Sequence, residues 1–314
     1  MANLLDTVNQ RTNLVGENRL ELLLFHLTGR QLFALNVFKV KEVVKLPKLN
    51  KLPNSHVHIE GVATIRGESI PVINLKAAIG LQPMQANNES NLIITEYNRS
   101  IQGFLVGKVE HIVNMTWGEI MEPPSTIGRQ HYLTAITKLK EKNTEELVEI
   151  IDVEKVLADI IEYRVNISDG IVDQNILSEF VGRKILHVDD SATARNQVAS
   201  TLTQLGIEII TAKNGREALS IIKNWADQGK KVSDEILMLI TDAEMPEMDG
   251  YKLTDEIRQD PRITDLFIVL NTSLSGEFNK AMVKKVGCDE FLSKFQPDLL
   301  VEIVQNRLKD KLAE

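Results

Sequence analysis

Cysteine is nearly absent. Cys288 is the one thiol in 314 residues, which excludes an intramolecular disulfide framework and fits a reducing compartment such as the cytoplasm; its ordinary role is that of a small buried hydrophobe. Apolar runs of about 18 residues are missing too, and the opening MANLLDTVNQR has no basic segment followed by an apolar core, so neither a membrane span nor a secretory leader is expected. A basic excess is lacking: 36 Lys and Arg stand against 44 Asp and Glu, a net charge of -8, which argues against a face built for nucleic acid. Aromatics make up 5% of the chain, and Tyr97, Phe104 and Trp117 in its first half read as packing or surface residues. That half also lacks a glycine-rich phosphate loop, a nucleophile elbow and paired catalytic carboxylates. His56 and His58 have no cysteine or third ligand beside them in sequence and read as loop residues rather than a metal site. Binding, not catalysis, is the expectation there.

What is present suffices for two cores, since 43% of the residues are apolar and the length suits about two domains. From Leu20 to about Val153 the pattern is short and strand-like, in LELLLFHL, QLFALNVF, NLIITEY and HYLTAITKL, with turn residues between. This half is expected to be all-β, flanked by a short helix over 3–12 and another over 154–162, where Val156, Ile160 and Ile161 recur at helical spacing. The stretch 166–182 is polar, contains Gly170 and Gly182, and separates two periodicities; it reads as a linker. Beyond it, KILHVDD, IEIITA, ILMLITD, LFIVLNT and DEFLS read as strands. Helices carrying Ala194, Val198, Leu202 and Leu205, then Ala218, Ile221, Ile222 and Trp225, and finally Leu300, Ile303, Val304 and Leu308 are set among them. Apolar strands alternating with amphipathic helices predict a doubly wound parallel five-stranded sheet covered on both faces.

In such a sheet the residues just past the strand ends carry the chemistry. Here they are Asp189 and Asp190, then Asp242, then Thr272 and Ser273, then Lys294. Converging carboxylates repel one another unless a cation neutralises them, and a hard divalent ion bound by oxygens, Mg²⁺, resolves that conflict. The set suits phosphoryl transfer to a carboxylate, with Lys294 and the Thr272 hydroxyl meeting phosphoryl oxygens. Taken singly, each acid also reads as a solvated loop charge or helix cap, and Asp190 or Ser191 is placed to cap the first helix.

The sequences HVDDS, TDAEMPEMDG, LNTS and FLSK, over about 183–312, resemble the response-regulator receiver domains, which share the fold and site of the chemotaxis protein CheY. The resemblance implies Asp242 as phosphoacceptor and Asp189, Asp190, Asp242 and the backbone carbonyl of Glu244 as Mg²⁺ ligands. It also implies Thr272 as switch hydroxyl, Lys294 as the phosphoryl-binding lysine and Phe291 as switch aromatic. Two departures stand out: Phe295 follows the lysine where receivers usually have proline, and Glu244 adds a carboxylate beside the acceptor.

In the first half, GVATIRGESIPVINL resembles the signature of CheW-like coupling domains, paired small β-barrels that link chemoreceptors to the histidine kinase CheA. Thr64 departs from the Asn often found there. The resemblance implies receptor contacts at Val40, Glu42, Gly61 and Arg66; for Arg66 the alternative is a hairpin-tip charge held by a local carboxylate, and for Val40 core packing. A coupling domain over 18–165, a linker over 166–182 and a receiver over 183–314 together resemble the CheV family. That implies an adaptor, not an enzyme acting on an external substrate, whose receiver draws a phosphoryl group from a CheA-type kinase. It would serve signalling adaptation or act as a phosphate sink, and would be cytoplasmic, held at membrane receptor arrays through its partners. Two rival readings fit less well. A dehalogenase-like phosphohydrolase places its nucleophile after the first strand with a second Asp two residues on, whereas Asp242 follows the third strand with Glu244 at that offset. A transcriptional response regulator needs a DNA-reading module, which the sequence after the last receiver helix does not offer.

Overall fold

The computed structural model describes residues 19–97, 100–121, 132–141, 144–161, 166–272, 287–293 and 296–313. They fall into two compact units, Arg19–Glu162 and the chain from Tyr163 onward. The expected helix over 3–12 lies outside the described residues, as do Ser273, Lys294 and Phe295.

The first unit is built of β1 (Arg19–His26), β2 (Leu32–Asn36), β3 (Val40–Lys45), β4 (Ile59–Ile65), β5 (Glu68–Asn74), β6 (Asn91–Tyr97), β7 (Ser100–Val106), β8 (Val109–Thr116), β9 (Ile120–Met121), β10 (Leu133–Glu141) and β11 (Thr144–Ile151), with α1 (Leu75–Ala78) and α2 (Val153–Ile160). The strands form two sheets, ordered β8-β1-β2-β11-β10-β9 and β3-β6-β7-β5-β4. In the first sheet the two outermost strands, β8 and β9, are consecutive in the chain and joined by one short turn over 117–119. The sheet must therefore curl to bring its edges together, and Thr137 on β10 donates to the carbonyl of Glu119 at 2.8 Å. The second sheet is drawn together by a two-bond bridge between Asn50 and Val62, at 2.9 and 2.8 Å. Each curled sheet encloses its own apolar cluster, with Leu22, Leu24 and Val148 in one and Val72, Leu92 and Leu105 in the other.

Local chemistry fixes the two helices of this unit. The Asn74 side chain accepts from the Ala77 amide at 3.3 Å to cap α1 and donates to the Glu60 carboxylate at 2.7 Å. Asp152 caps α2 by accepting from the Lys155 amide, and burial pushes its carboxyl above the usual range. The helix expected over 154–162 is α2; α1 is too short to show a periodicity.

The second unit comprises α3 (Leu177–Phe180), β12 (Lys184–Val188), α4 (Ala192–Leu202), β13 (Glu208–Ala212), α5 (Gly215–Asp227), α6 (Val232–Glu235), β14 (Met238–Asp242), α7 (Gly250–Gln259), β15 (Ile268–Thr272), β16 (Glu290–Ser293) and α8 (Pro297–Ala313). Its five strands pair in parallel in the order β13-β12-β14-β15-β16. Every residue of β14 and β15 is buried, as a strand covered on both faces requires. One cluster packs α5 and α7 on the sheet, and a second packs α4 and α8. The doubly wound architecture matches the expectation, and the stripes read from the sequence face these cores.

Within the stretch 166–182, expected as a linker, Phe180 is fully buried, and Ile167, Ile171, Val172 and Ile176 pack on the α4/α8 cluster. The average polarity of the stretch concealed an apolar stripe threaded between its Ser, Asp and Asn residues.

Candidate functional site

Parallel register sets the site. Val188 pairs with Thr241, Asp242 with Asn271, and Thr272 with Ser293, so Asp189, Asp242 and Thr272 lie at the same, carboxyl edge of the sheet. One carboxylate oxygen from each of Asp189, Asp190 and Asp242 lies within 4.8 Å of the others. Asp189 and Asp242 are buried and Asp190 is half-buried. Like charges held this close in a partly desolvated site repel strongly, and a donor set made only of oxygens fits a hard cation such as Mg²⁺. Among the described residues this is the group of acids able to hold a metal ion.

The acids are held by backbone geometry. The Ser191 amide donates to Asp189 Oδ1 at 2.9 Å, while the Ser191 hydroxyl caps α4 by accepting from the Ala194 amide at 3.3 Å. Capping thus falls to Ser191, which leaves Asp190 to the acid cluster. Arg195, one turn into α4, donates to the Asp189 carbonyl. At the other acid, the Ala243 amide bonds the Asn271 carbonyl at 3.1 Å and the Gly250 amide bonds the Ala243 carbonyl at 3.1 Å. A Cβ on Gly250 would overlap the carbonyl oxygen of Asp242 and stand 3.0 Å from its carbon. Helix α7 therefore begins in direct backbone contact with Asp242.

Around the acids, Thr272 is buried at the end of β15, Glu244 is half-buried two residues past Asp242, and Phe291 on β16 is half-buried against the α5/α7 core. Burial, aided by the Glu244, Asp249 and Asp242 carboxylates, raises the Tyr251 phenol above its ordinary range. Sequence reading missed Arg195 and Gly250. For Gly250 the usable signal was its place directly after the capping Asp249, which accepts from the Lys252 amide at 2.6 Å; for Arg195 there was none.

In the first unit Arg66 and Gly67 both have positive φ, 51° and 86°, the requirement of a tight type I′ hairpin turn. The Arg66 side chain is 80% exposed, and its Nη2 lies 2.7 Å from Glu42 Oε2. Two of the four expected contact residues thus meet in an ion pair between β3 and the β4–β5 turn. Val40 is half-buried on β3, where Val40, Glu42 and Val44 alternate with the exposed Lys41, Val43 and Lys45. Gly61 has φ 150°, and a Cβ there would stand 2.6 Å from the Asn50 carbonyl oxygen, so glycine is needed for the bridge that draws this sheet together. His56 and His58 lie with ring centres 5.0 Å apart, and they are not part of the metal-capable group.

The CheW-like domain model matches residues 21–160, and the response regulator receiver domain model matches residues 185–305. The chain is 29% identical over 313 residues to chemotaxis protein CheV3 of Helicobacter pylori, covering 94% of this chain and 96% of that protein. It is 28% identical to chemotaxis protein CheV1 of the same organism, covering 98% and 99%. It is also 32% identical over 127 residues to a chemotaxis protein CheY homolog of Campylobacter jejuni, covering 40% of this chain and 92% of that protein. The chain thus carries a CheW-like domain ahead of a response regulator receiver domain, and over nearly its full length it is similar to the CheV chemotaxis proteins of Helicobacter pylori.

Proposed function

We propose that this chemotaxis adaptor couples chemoreceptor tips to a CheA-type histidine kinase through residues 18–165, and that the receiver, 183–314, is phosphorylated at Asp242. The observation that carries this reading is the convergence of Asp189, Asp190 and Asp242 at the edge where Thr272 ends the neighbouring strand. In the transfer, an Asp242 oxygen attacks the phosphorus of a phosphohistidine. The new P–O bond forms as the P–N bond breaks, and the imidazole leaves and takes up a proton. Thr272 donates a hydrogen bond to a phosphoryl oxygen and Lys294 neutralises another, so catalysis is positioning and charge stabilisation. Mg²⁺, held by Asp189, Asp190, Asp242 and the Glu244 carbonyl, would supply further neutralisation of the phosphoryl oxygens. The chain then acts as a scaffold whose only chemistry is on itself, tuning adaptation or draining phosphoryl groups from the kinase. A cytoplasmic place at the receptor array follows from its partners, and no helix among the described residues is long and apolar enough to cross a membrane.

Incubation with phosphorylated kinase and Mg²⁺, followed by mapping of the labelled residue, tests the assignment; label on any residue other than Asp242 refutes it. In the same assay Asp190→Ala weakens Mg²⁺ binding by at least about tenfold and slows labelling, since a direct ligand should matter no less than an outer-shell partner. Unchanged metal affinity would remove Asp190 from the donor set.

The coupling face has its own test. Arg66→Glu weakens receptor and kinase binding by about fivefold or more, the scale of an arginine that matters at an interface. It moves the thermal midpoint little, because an exposed ion pair contributes about 0–1 kcal/mol. The charge-swapped double variant Glu42→Arg with Arg66→Glu re-forms the internal pair without restoring binding. Recovery of native affinity in that variant would reduce Arg66 to a local ion-pair partner of Glu42.

A further inference from the structure

Residues 166–180 follow the coupling unit in chain order and lie along α8 of the receiver. Their polar contacts fall on one stripe of that helix. Ser168 donates from its amide at 2.9 Å and its hydroxyl at 2.7 Å to the two carboxylate oxygens of Asp298. The Asp173 amide donates to the Gln305 side-chain oxygen at 2.6 Å, and Gln305 donates back to the Ile171 carbonyl at 3.0 Å. Lys309 closes the stripe with an ion pair to Asp173 at 2.8 Å. Asp298, Gln305 and Lys309 recur at spacings that share one helix face.

The hold is uneven along the segment. Phe180 is 0% exposed and sits inside the α4/α8 cluster, so the carboxyl end is pinned by burial. At the amino end Ile167 and Ile171 are only partly buried, and the Ser168–Asp298 bonds are exposed to water. Segments with few buried contacts and solvent-exposed hydrogen bonds open first. The segment is therefore built to peel from residue 166 toward Phe180 while the rest of the receiver stays folded.

We infer that residues 166–176 form a releasable strap, clasped by Asp298, Gln305 and Lys309, that passes the state of the receiver site to the chain leading back to the coupling unit. This rests on the proposed phosphoryl acceptance at Asp242. The clasp is placed to sense it: Asp298 is the second residue of α8, and in sequence Lys294 stands between the end of β16 and that helix. Both Ser168 bonds require both Asp298 oxygens in register, so a shift of the first turn of α8 loosens them. Loading of the receiver releases the strap.

Hydrogen exchange on the full chain tests this, with Mg²⁺ alone and with Mg²⁺ plus beryllofluoride, a phosphoryl mimic whose binding is followed separately by its fluorine resonance. Amides of 167–173 exchange about fivefold faster in the loaded protein, the lower end of ordinary allosteric coupling, while those around Phe180 do not change. Asp298→Asn and Ser168→Ala give a comparable acceleration without the mimic and leave the fluorine signal of the loaded state intact. A bound fluorine signal with unchanged or slower exchange overturns the strap as a reporter. Native exchange in Asp298→Asn overturns the clasp whatever the loading, and absence of any bound signal overturns the phosphoryl-accepting reading and the strap's trigger with it.

Discussion

Asp242→Asn reduces phosphoryl uptake from a phosphohistidine donor by roughly a thousandfold or more, the scale on which loss of a nucleophile acts. The substitution keeps the shape of the side chain, so a buried residue at the end of a fully buried strand loses little packing. It removes the attacking oxygen, and with it one of three carboxylates gathered within 4.8 Å. The variant therefore carries a second signature. Without metal it is at least as stable as the parent, because one repelling charge is gone; with saturating Mg²⁺ it gains less stability than the parent, because a ligand that binds only the folded state stabilises in proportion to its affinity. Labelling of the variant at the parent's rate would sink the acceptor assignment, and equal stabilisation of both proteins by Mg²⁺ would sink the shared metal site.

Phe180→Ala destabilises the receiver by about 3–5 kcal/mol, the usual cost of deleting a fully buried phenyl ring. Phe180 is 0% exposed and lies against the cluster that includes Val198, Leu202, Val304 and Leu308. For a domain of this size each kcal/mol lowers the midpoint by about 2–4 °C, so the receiver transition falls by roughly 10 °C. In the full chain that transition is recognised as the one shifted upward by Mg²⁺ with beryllofluoride. A fall of less than about 2 °C would return the segment to the status of a passive linker.

That expectation separates what the sequence disclosed from what it withheld. The strands of the receiver were legible because ILMLITD and LFIVLNT are apolar at consecutive positions, and only a strand covered on both faces tolerates that. Once the sheet was known to be parallel, its carboxyl edge had to collect Asp189, Asp190, Asp242 and Thr272, and the register brings three of them to one level. A cap at Asp190 or Ser191 was legible for a similar reason, since a short oxygen side chain directly ahead of a helix has an amide to satisfy; the structure gives the role to Ser191. What remained hidden depends on partners far apart in the chain. Nothing local says that Ser168 will meet Asp298, that Phe180 will enter a core formed mostly by residues after it, or that Arg66 will reach Glu42. Arg195 was equally silent, since what it meets is the Asp189 carbonyl six residues before it. For Gly61, where the resemblance implies a receptor contact, the structure gives a steric reason.

The contact between Gly250 and the Asp242 carbonyl has a mechanical consequence. Side chains at an interface act as cushions, because rotamers adjust before backbone moves; here helix and strand meet with no side chain between them. Interiors packed this tightly have low compressibility and transmit strain. The flank of Asp242 facing α7 is accordingly stiff, and a charge added at Asp242 would not be accommodated by yielding in that direction. Under the proposed phosphorylation, the direction of the receiver's response would be set by where the packing refuses to give, before any attraction toward the phosphoryl group is considered.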